Sequence, residues 1–325
     1  MDQSSTAAAV GRTVTANVNG FIERSFEATE KTDGWHKGYF GAPWKKPKDV
    51  PWKHIKAAIT QTKVTMHNAR IIQAEHDGDA ASFFDDHGFV LLDMPTDVRV
   101  WNEDYSNDDT DITKIYHKEV ENAIMNQLFP NGTDISHISQ ESAVLRRGPK
   151  SKNPFYANGV HEDYAMGIEN FKEASSANIT DDAANEAFLS EVDENLAECE
   201  VFMMICFWRP INLRGGVLLN NPLCVLDRAT LDEKDIVKSQ LHGITPTGKV
   251  QPQLMLKHDK EQRWCYYPDM TENEVLVFKQ FYYKKGNPNG KFQCCFHSAF
   301  KDPREGFFAK QKRQSTEHRV GVYIK

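Results

Sequence analysis

EHRVGVYI, residues 317–324, is the stretch on which the reading of the fold turns. Val320, Val322 and Ile324 alternate with Arg319, Gly321 and Tyr323, the period of two that sends successive side chains to opposite faces of a strand. If the valine face packs on helices, the arginine face looks into a barrel. Working back along the chain, β-type runs recur at 291–299 (KFQCCFHSA), 274–282 (EVLVFKQFY), 263–267 (RWCYY), 217–226, 201–208 (VFMMICFW), 156–163 (YANGVHED) and 142–147 (SAVLRR). An earlier strand is expected at 87–93. Helices are expected at about 79–87, at 111–128 with Pro130 ending it, at 181–196, and briefly at 230–240 after Asp227. Strands dominate the second half, with no strict βαβ alternation and no G-x-G-x-x-G. The expected fold class is mainly β with flanking helices around a double-stranded β-helix, the jelly-roll core of cupin-like proteins.

Ahead of that core, residues 34–53 (GWHKGYFGAPWKKPKDVPWK) carry three tryptophans and three prolines. Such a stretch is unsuited to a helix and reads as an extended arm anchored by Trp35, Trp44 and Trp52. Residues 1–30 are polar and expected to fray. The division expected is an N-terminal arm over 1–60 and a single double-stranded β-helix domain with a helical flank over 61–325.

The 325 residues are 40% hydrophobic and 26% charged, with a net charge of −7. That balance does not suit a nucleic-acid binder or a protein held to anionic membranes by bulk charge. The sequence has no apolar run of membrane-spanning length and no secretory-type start. The six cysteines form no C-x-x-C pair, and Cys206, Cys294 and Cys295 lie in apolar runs. They read as buried thiols of a reducing, cytoplasmic compartment rather than as disulfides or a zinc site.

His161-Glu162-Asp163 is an H-x-D triplet at the end of a strand-like run. Residues i and i+2 of a strand share a face, so His161 and Asp163 can meet at one ion while Glu162 points away. The other such triplet, His117-Lys118-Glu119, falls in an expected helix, where i and i+2 diverge. A second imidazole would complete a two-histidine, one-carboxylate facial triad and leave three positions of octahedral iron(II) open. His297, 136 residues after His161, is the candidate. The open positions suit a chelating 2-oxo acid and dioxygen. A 2-oxo acid with a second carboxylate also needs a cation, supplied best by a bidentate arginine. Arg313, in Arg313-Gln314-Ser315, follows His297 by 16 residues, and Arg319 follows it by 22. Each residue alone has a commonplace role as a core histidine or a salt-bridged arginine. The ordered set of all of them points to metal chemistry. Two other classes fit parts of the pattern: a cupin-like binding protein without chemistry, and a zinc hydrolase on the same ligands, which has no need of the arginine.

Several segments in order resemble 2-oxoglutarate-dependent oxygenases, in particular the hydroxylase/desaturase group that includes the AsaB-like proteins, fungal gibberellin desaturase and the cephamycin oxygenase. They are Val160-His161-Glu162-Asp163-Tyr164, Phe207-Trp208-Arg209-Pro210, Pro222-Leu223 with Asp227, Tyr267-Pro268-Asp269-Met270, and Glu274 through Gln280. Two more follow: His297-Ser298-Ala299-Phe300-Lys301-Asp302-Pro303, and Arg313-Gln314-Ser315 with Glu317 and Arg319. The resemblance implies iron(II) on His161, Asp163 and His297, with 2-oxoglutarate and dioxygen as co-substrates. It places Arg313 with Ser315, or Arg319, at the distal carboxylate of 2-oxoglutarate. The outcome implied is hydroxylation, desaturation or oxidative cyclisation of a small molecule. A narrower resemblance, to algal kainoid synthases, implies ring closure on a prenylated amino acid. A substrate with several carboxylates would suit Arg146, Arg147, Arg209 and Arg228. The pattern departs from the group at Tyr282-Tyr283 and at Cys294-Cys295-Phe296, positions that bear on substrate rather than on metal.

Overall fold

Strands account for the whole central body, and their pairing follows from which faces are apolar. In chain order they are β1 (Thr13–Ile22), β2 (His36–Tyr39), β3 (Ile59–Asn68), β4 (Phe89–Asp93), β5 (Ile135–Arg146), β6 (Val201–Pro210) and β7 (Leu223–Leu226). Then come β8 (Ile236–His242), β9 (Gln251–Leu256), β10 (Trp264–Tyr266), β11 (Glu274–Lys284), β12 (His297–Ala299) and β13 (Ser315–Ile324). The computed structural model describes residues 11–27, 34–39, 59–101, 109–130, 132–147, 156, 159–287, 290–305 and 312–325. One sheet runs β1-β3-β10-β7-β12 and a second β4-β11-β6-β13-β5. Side chains of both, among them Leu223, Val225 and Cys265 from the first and Cys206, Trp208 and Phe278 from the second, share one hydrophobic core. This is the double-stranded β-helix.

β6 lies between β11 and β13, and nine of its ten residues are buried, as its unbroken apolar sequence requires. β13 alternates as expected. Its outer face meets a helix, with the His318 ring 5.4 Å from Tyr116 and 5.0 Å from His117. That helix is α3 (His117–Ala123), extended at both ends by single π-turns, Ile112–Tyr116 and Ile124–Leu128. Ile112, Tyr116, Val120, Ala123 and Leu128 are buried along it, in the core that also holds Val320 and Val322. Helix α1 (Ala69–Ala74) and helix α2 (Ala80–His87) precede β4. Asp79 caps α2 by accepting from the Ser82 amide, and Gly88, at φ 81°, ends it in the left-handed region. Helices α4 (Ile168–Ser176) and α5 (Asp182–Glu198) cover a second apolar cluster, in which Phe171 and Val192 pack with Phe202, Phe281 and Tyr323.

The elements found depart from the expected ones at several points. Residues 13–22 do not fray: β1 pairs antiparallel with β3 from Thr13↔His67 to Ile22↔Ile59 and buries Ala16, Val18, Phe21 and Ile22. The division at 60/61 falls inside β3. The helix expected at 230–240 is two single 3-10 turns, Arg228–Thr230 and Glu233–Asp235, followed by β8. Asp227 and Asp232 cap those turns, and the ladder of β8 with β9 takes the remaining residues. Of 291–299 only His297–Ala299 joins a ladder. Of the arm, His36–Tyr39 pairs in parallel with β8; Trp44 and Trp52 lie outside the described residues.

Candidate metal centre

His161 and His297 come from opposite ends of the second half of the chain, and backbone hydrogen bonds lock them together. The His161 amide donates to the His297 carbonyl at 3.2 Å, and the His297 amide donates back at 3.0 Å. This two-residue bridge sets the imidazoles side by side, ring centroids 4.4 Å apart. Asp163, two residues on, shares the face of His161, with its Oδ1 3.3 Å from His161 Nε2. One ligand atom from each of His161, Asp163 and His297 lies within 4.8 Å of the others, a spacing that one cation can bridge. Glu162 points elsewhere: its backbone pairs with Leu254, and burial holds its carboxyl well above the usual range.

The tautomers suit ligation. His161 Nδ1 lies 2.6 Å from the Gly159 carbonyl and His297 Nδ1 3.3 Å from the Cys295 carbonyl. A carbonyl only accepts, so each Nδ1 carries the proton and each Nε2 is left with a lone pair. Burial, then the neighbouring His161, lowers His297 to about 4, so it stays neutral. Burial would lower His161 too, but Asp163 raises it on balance.

Asp163 is itself held. Gln280 Nε2 donates to Asp163 Oδ2 at 2.5 Å and Arg319 Nη2 donates to the same oxygen at 2.7 Å. Arg319 Nε also donates to Gln280 Oε1 at 3.1 Å, closing a ring of three side chains. Burial alone would raise the Asp163 carboxyl; Arg319 and then His161 hold it well below the usual range. Oδ2 is thus engaged and Oδ1 faces the histidines.

Further along the inner face of β13 stand Glu317 and Ser315, with Arg313 two residues ahead of the strand. Glu317 accepts from Arg146 Nη2 at 3.1 Å, and burial notwithstanding, Arg146 lowers it to about 2. Arg313 is 1% exposed, yet among the described residues no carboxylate pairs with it. Its Nη1 and Nη2 donate to the carbonyls of Asn221 (2.7 Å) and Tyr156 (3.2 Å), and its guanidinium stacks on Tyr156 and Trp208. Burial pulls it down to about 9. Among the described residues, Arg313 Nε and Ser315 Oγ are both buried without a hydrogen-bond partner. A buried cation beside an unsatisfied hydroxyl is costly unless an anion completes it.

A family model described as an oxidoreductase/YMDC permease-like domain matches residues 28–323. The chain belongs to that family. Among the described residues no helix is long and apolar enough to cross a membrane. No curated protein matches the chain. Among solved structures it is similar to the iron and alpha-ketoglutarate-dependent endoperoxidase NvfI, at 17% identity over 96% of this chain and 98% of that one, with a TM-score of 0.65. A second structure of NvfI, in a different conformation, gives 18% identity, 97% and 99% coverage and a TM-score of 0.66. At that identity the likeness concerns the fold.

In this member of the oxidoreductase/YMDC permease-like family, the sequence assigned no role to three residues of the centre. Gln280 was legible as a polar residue on the same strand face as Phe278, in an otherwise apolar run. Glu317 shares the face of Arg319. Gly20 carried no signal at all. Its φ is 93°, and a Cβ there would lie 2.4 Å from the Val160 amide nitrogen and 2.7 Å from the Gly159 Cα. Val160 donates to the Asn19 carbonyl at 2.9 Å, so β1 braces the backbone that delivers His161. Gly20→Ala is expected to cost about 3 kcal/mol, from the strained dihedral and the backbone clash together. It should weaken divalent-metal affinity as well, whereas Gly132→Ala, strained at φ 74° in open space, should leave metal affinity alone. Thermal unfolding and a cobalt(II) titration of both variants check this.

Proposed function

We propose that the chain is an iron(II)- and 2-oxoglutarate-dependent oxygenase acting on an unactivated C–H bond of a small molecule. His161, Asp163 and His297 are the proposed metal ligands, and Arg313 with Ser315 the proposed clamp for the distal carboxylate of 2-oxoglutarate. The observation that carries the reading is the unfilled pair of Arg313 Nε and Ser315 Oγ, both buried, with Ser315 opening the strand that also brings Arg319 to the triad and Arg313 two residues ahead of it. A cupin-like binder or a zinc hydrolase has no use for a buried guanidinium set there. Arg319, already spent on Asp163 and Gln280, is the poorer clamp.

Iron(II) and 2-oxoglutarate, when bound, would serve to activate dioxygen, the oxidant, with 2-oxoglutarate giving up two electrons to it. The chain's own residues do the placing. The backbone bridge between His161 and His297 fixes both rings, and Phe278 packs 4.9 Å from the His297 ring and keeps water from that side. Gln280 and Arg319 hold Asp163 to one free oxygen, which leaves more of the ion's face for other ligands.

The reaction outcome, whether hydroxylation, desaturation or oxidative cyclisation, rests on how the substrate sits. Kainoid-type closure on a prenylated amino acid is the specific case proposed. Arg147, Arg209 and Arg228 donate to the carbonyls of Trp101, Met94 and Asp85, so they are poor carboxylate receptors. Arg146, paired with Glu317 on the inner face, is the one of these four placed to meet a substrate carboxylate. The buried, free state of all six cysteines supports a reducing, cytoplasmic setting.

Anaerobic reconstitution with iron(II) and then 2-oxoglutarate tests the reading. A weak visible charge-transfer band should appear on adding the 2-oxo acid and shift with candidate substrates. Absence of the band from metal-loaded protein would remove the co-substrate from the proposal.

A further inference from the structure

On the outer face of β11, away from the metal centre, a cavity of about 290 Å3 opens between the sheet and the helices. Consecutive residues face opposite ways here: Gln280 reaches inward to Asp163, and Lys279 points outward into this cavity. Its walls are apolar for the most part, built by Phe84, Leu128, Phe129, Val201, Met203 and Ile324. The Lys279 side chain is 3% exposed. An ammonium carries three donors, and burial of so hydrated a group is costly unless an anion meets it. Its carboxylate partner is Asp85, 3.3 Å away, whose own side chain is 82% exposed. The ring of Phe84 lies 4.8 Å from the same nitrogen. A partner so exposed sits in water and can leave at little cost. Burial lowers the Lys279 pKa on balance, with Asp85 opposing, which agrees with a buried cation whose carboxylate partner stands in water.

We propose that this cavity binds an apolar monocarboxylate, its head on Lys279 Nζ in place of Asp85 and its tail among the hydrocarbon walls. At about 30 Å3 for each water-sized group, the space holds roughly ten non-hydrogen atoms, the size of octanoate. Such a ligand supplies what the site lacks: a fully desolvated anion for the ammonium and apolar surface for the walls. The site lies on the opposite face of the sheet from the triad, so it stands whether or not the oxygenase reading holds.

Calorimetric titration of the full chain with sodium octanoate tests it, with 1-octanol as the uncharged control. Saturable binding of one octanoate is expected. Asp85→Ala removes the competing carboxylate and should tighten octanoate about threefold to tenfold, leaving octanol unchanged. Lys279→Met should weaken octanoate more than about tenfold and leave octanol unchanged. No saturable binding, or equal octanoate affinity in Asp85→Ala and the parent protein, overturns the proposal. Asp85 is exposed, so its variant keeps the test decisive even if Lys279→Met does not fold.

Discussion

Asp163→Ala is expected to abolish metal binding and succinate production together. The substitution removes the one anionic ligand of the proposed triad and leaves two imidazoles, too few to hold iron(II) in an open site. It also strands Arg319 and Gln280, whose donors now meet at Asp163 Oδ2. A buried guanidinium stripped of its carboxylate destabilises a fold by about 3–5 kcal/mol, and Arg319 keeps Gln280 Oε1 and, 3.6 Å away, Glu317 in partial compensation. Two variants separate the effects. Asp163→Asn keeps the shape and an oxygen acceptor, so it should fold better than Asp163→Ala while metal affinity still falls more than about 100-fold. Equilibrium unfolding, a metal titration and a succinate assay on the purified proteins read the three quantities. Unchanged turnover in pure Asp163→Ala protein would dispose of the triad.

Arg313→Leu is expected to raise the KM for 2-oxoglutarate by about 10²–10⁴-fold while leaving metal affinity near its parent value. A bidentate guanidinium–carboxylate pair in a buried site is worth roughly two charge-assisted hydrogen bonds, each about 1.5–3 kcal/mol. Leucine fills much of the volume between Tyr156 and Trp208 without the charge, and it also relieves the carbonyls of Asn221 and Tyr156 of a cation. Ser315→Ala, which loses one hydroxyl, should cost about tenfold in the same constant. Arg319→Leu makes the contrast. It releases Asp163, so the loss should appear first in metal binding and only secondarily in 2-oxoglutarate. If Arg319→Leu instead raises the 2-oxoglutarate KM with metal affinity intact, and Arg313→Leu does not, the clamp has been assigned to the wrong arginine. Measuring both constants on both proteins decides it.

The parts of the fold legible in the sequence are those whose side chains announce a period or a cap. Val320, Val322 and Ile324 on β13, the unbroken apolar run over 201–208 in β6, and Pro130 just past the last π-turn of α3 are of this kind. β3 was missed because only Ile59, Val64 and Met66 are apolar among its ten residues, the rest of its pattern being threonines, glutamine, lysine, histidine and asparagine. β1 was missed for a related reason: its outward residues are threonines and asparagines, its alternation breaks at the irregularity between Asn19 and Phe21, and its pairing with β3 could not be inferred while β3 was unseen. At 230–240 the capping aspartates do start helical turns, but only single ones; tertiary pairing of β8 with β9 prevails over local preference beyond Asp235. In the centre, His161, Asp163 and His297 could be proposed because ligand chemistry restricts the residue types. Gln280 and Gly20 could not, because their roles arise from proximity alone: one reaches a carboxylate 117 positions away, the other yields space to a backbone across the sheet.

β5 sits at the margin of its sheet, and its ladder partner is β13. The cross-strand pair Arg146–Glu317 joins residues 171 positions apart. During synthesis on a ribosome, β5 must therefore wait, with its backbone unmatched, until nearly all the intervening chain has emerged. Closure of such distant segments is slow, and an unmatched strand invites pairing with another nascent copy. The two charges that flank the join, Arg146 and Arg147, and the neighbouring helix α3 are then the natural guards of that edge in the interval.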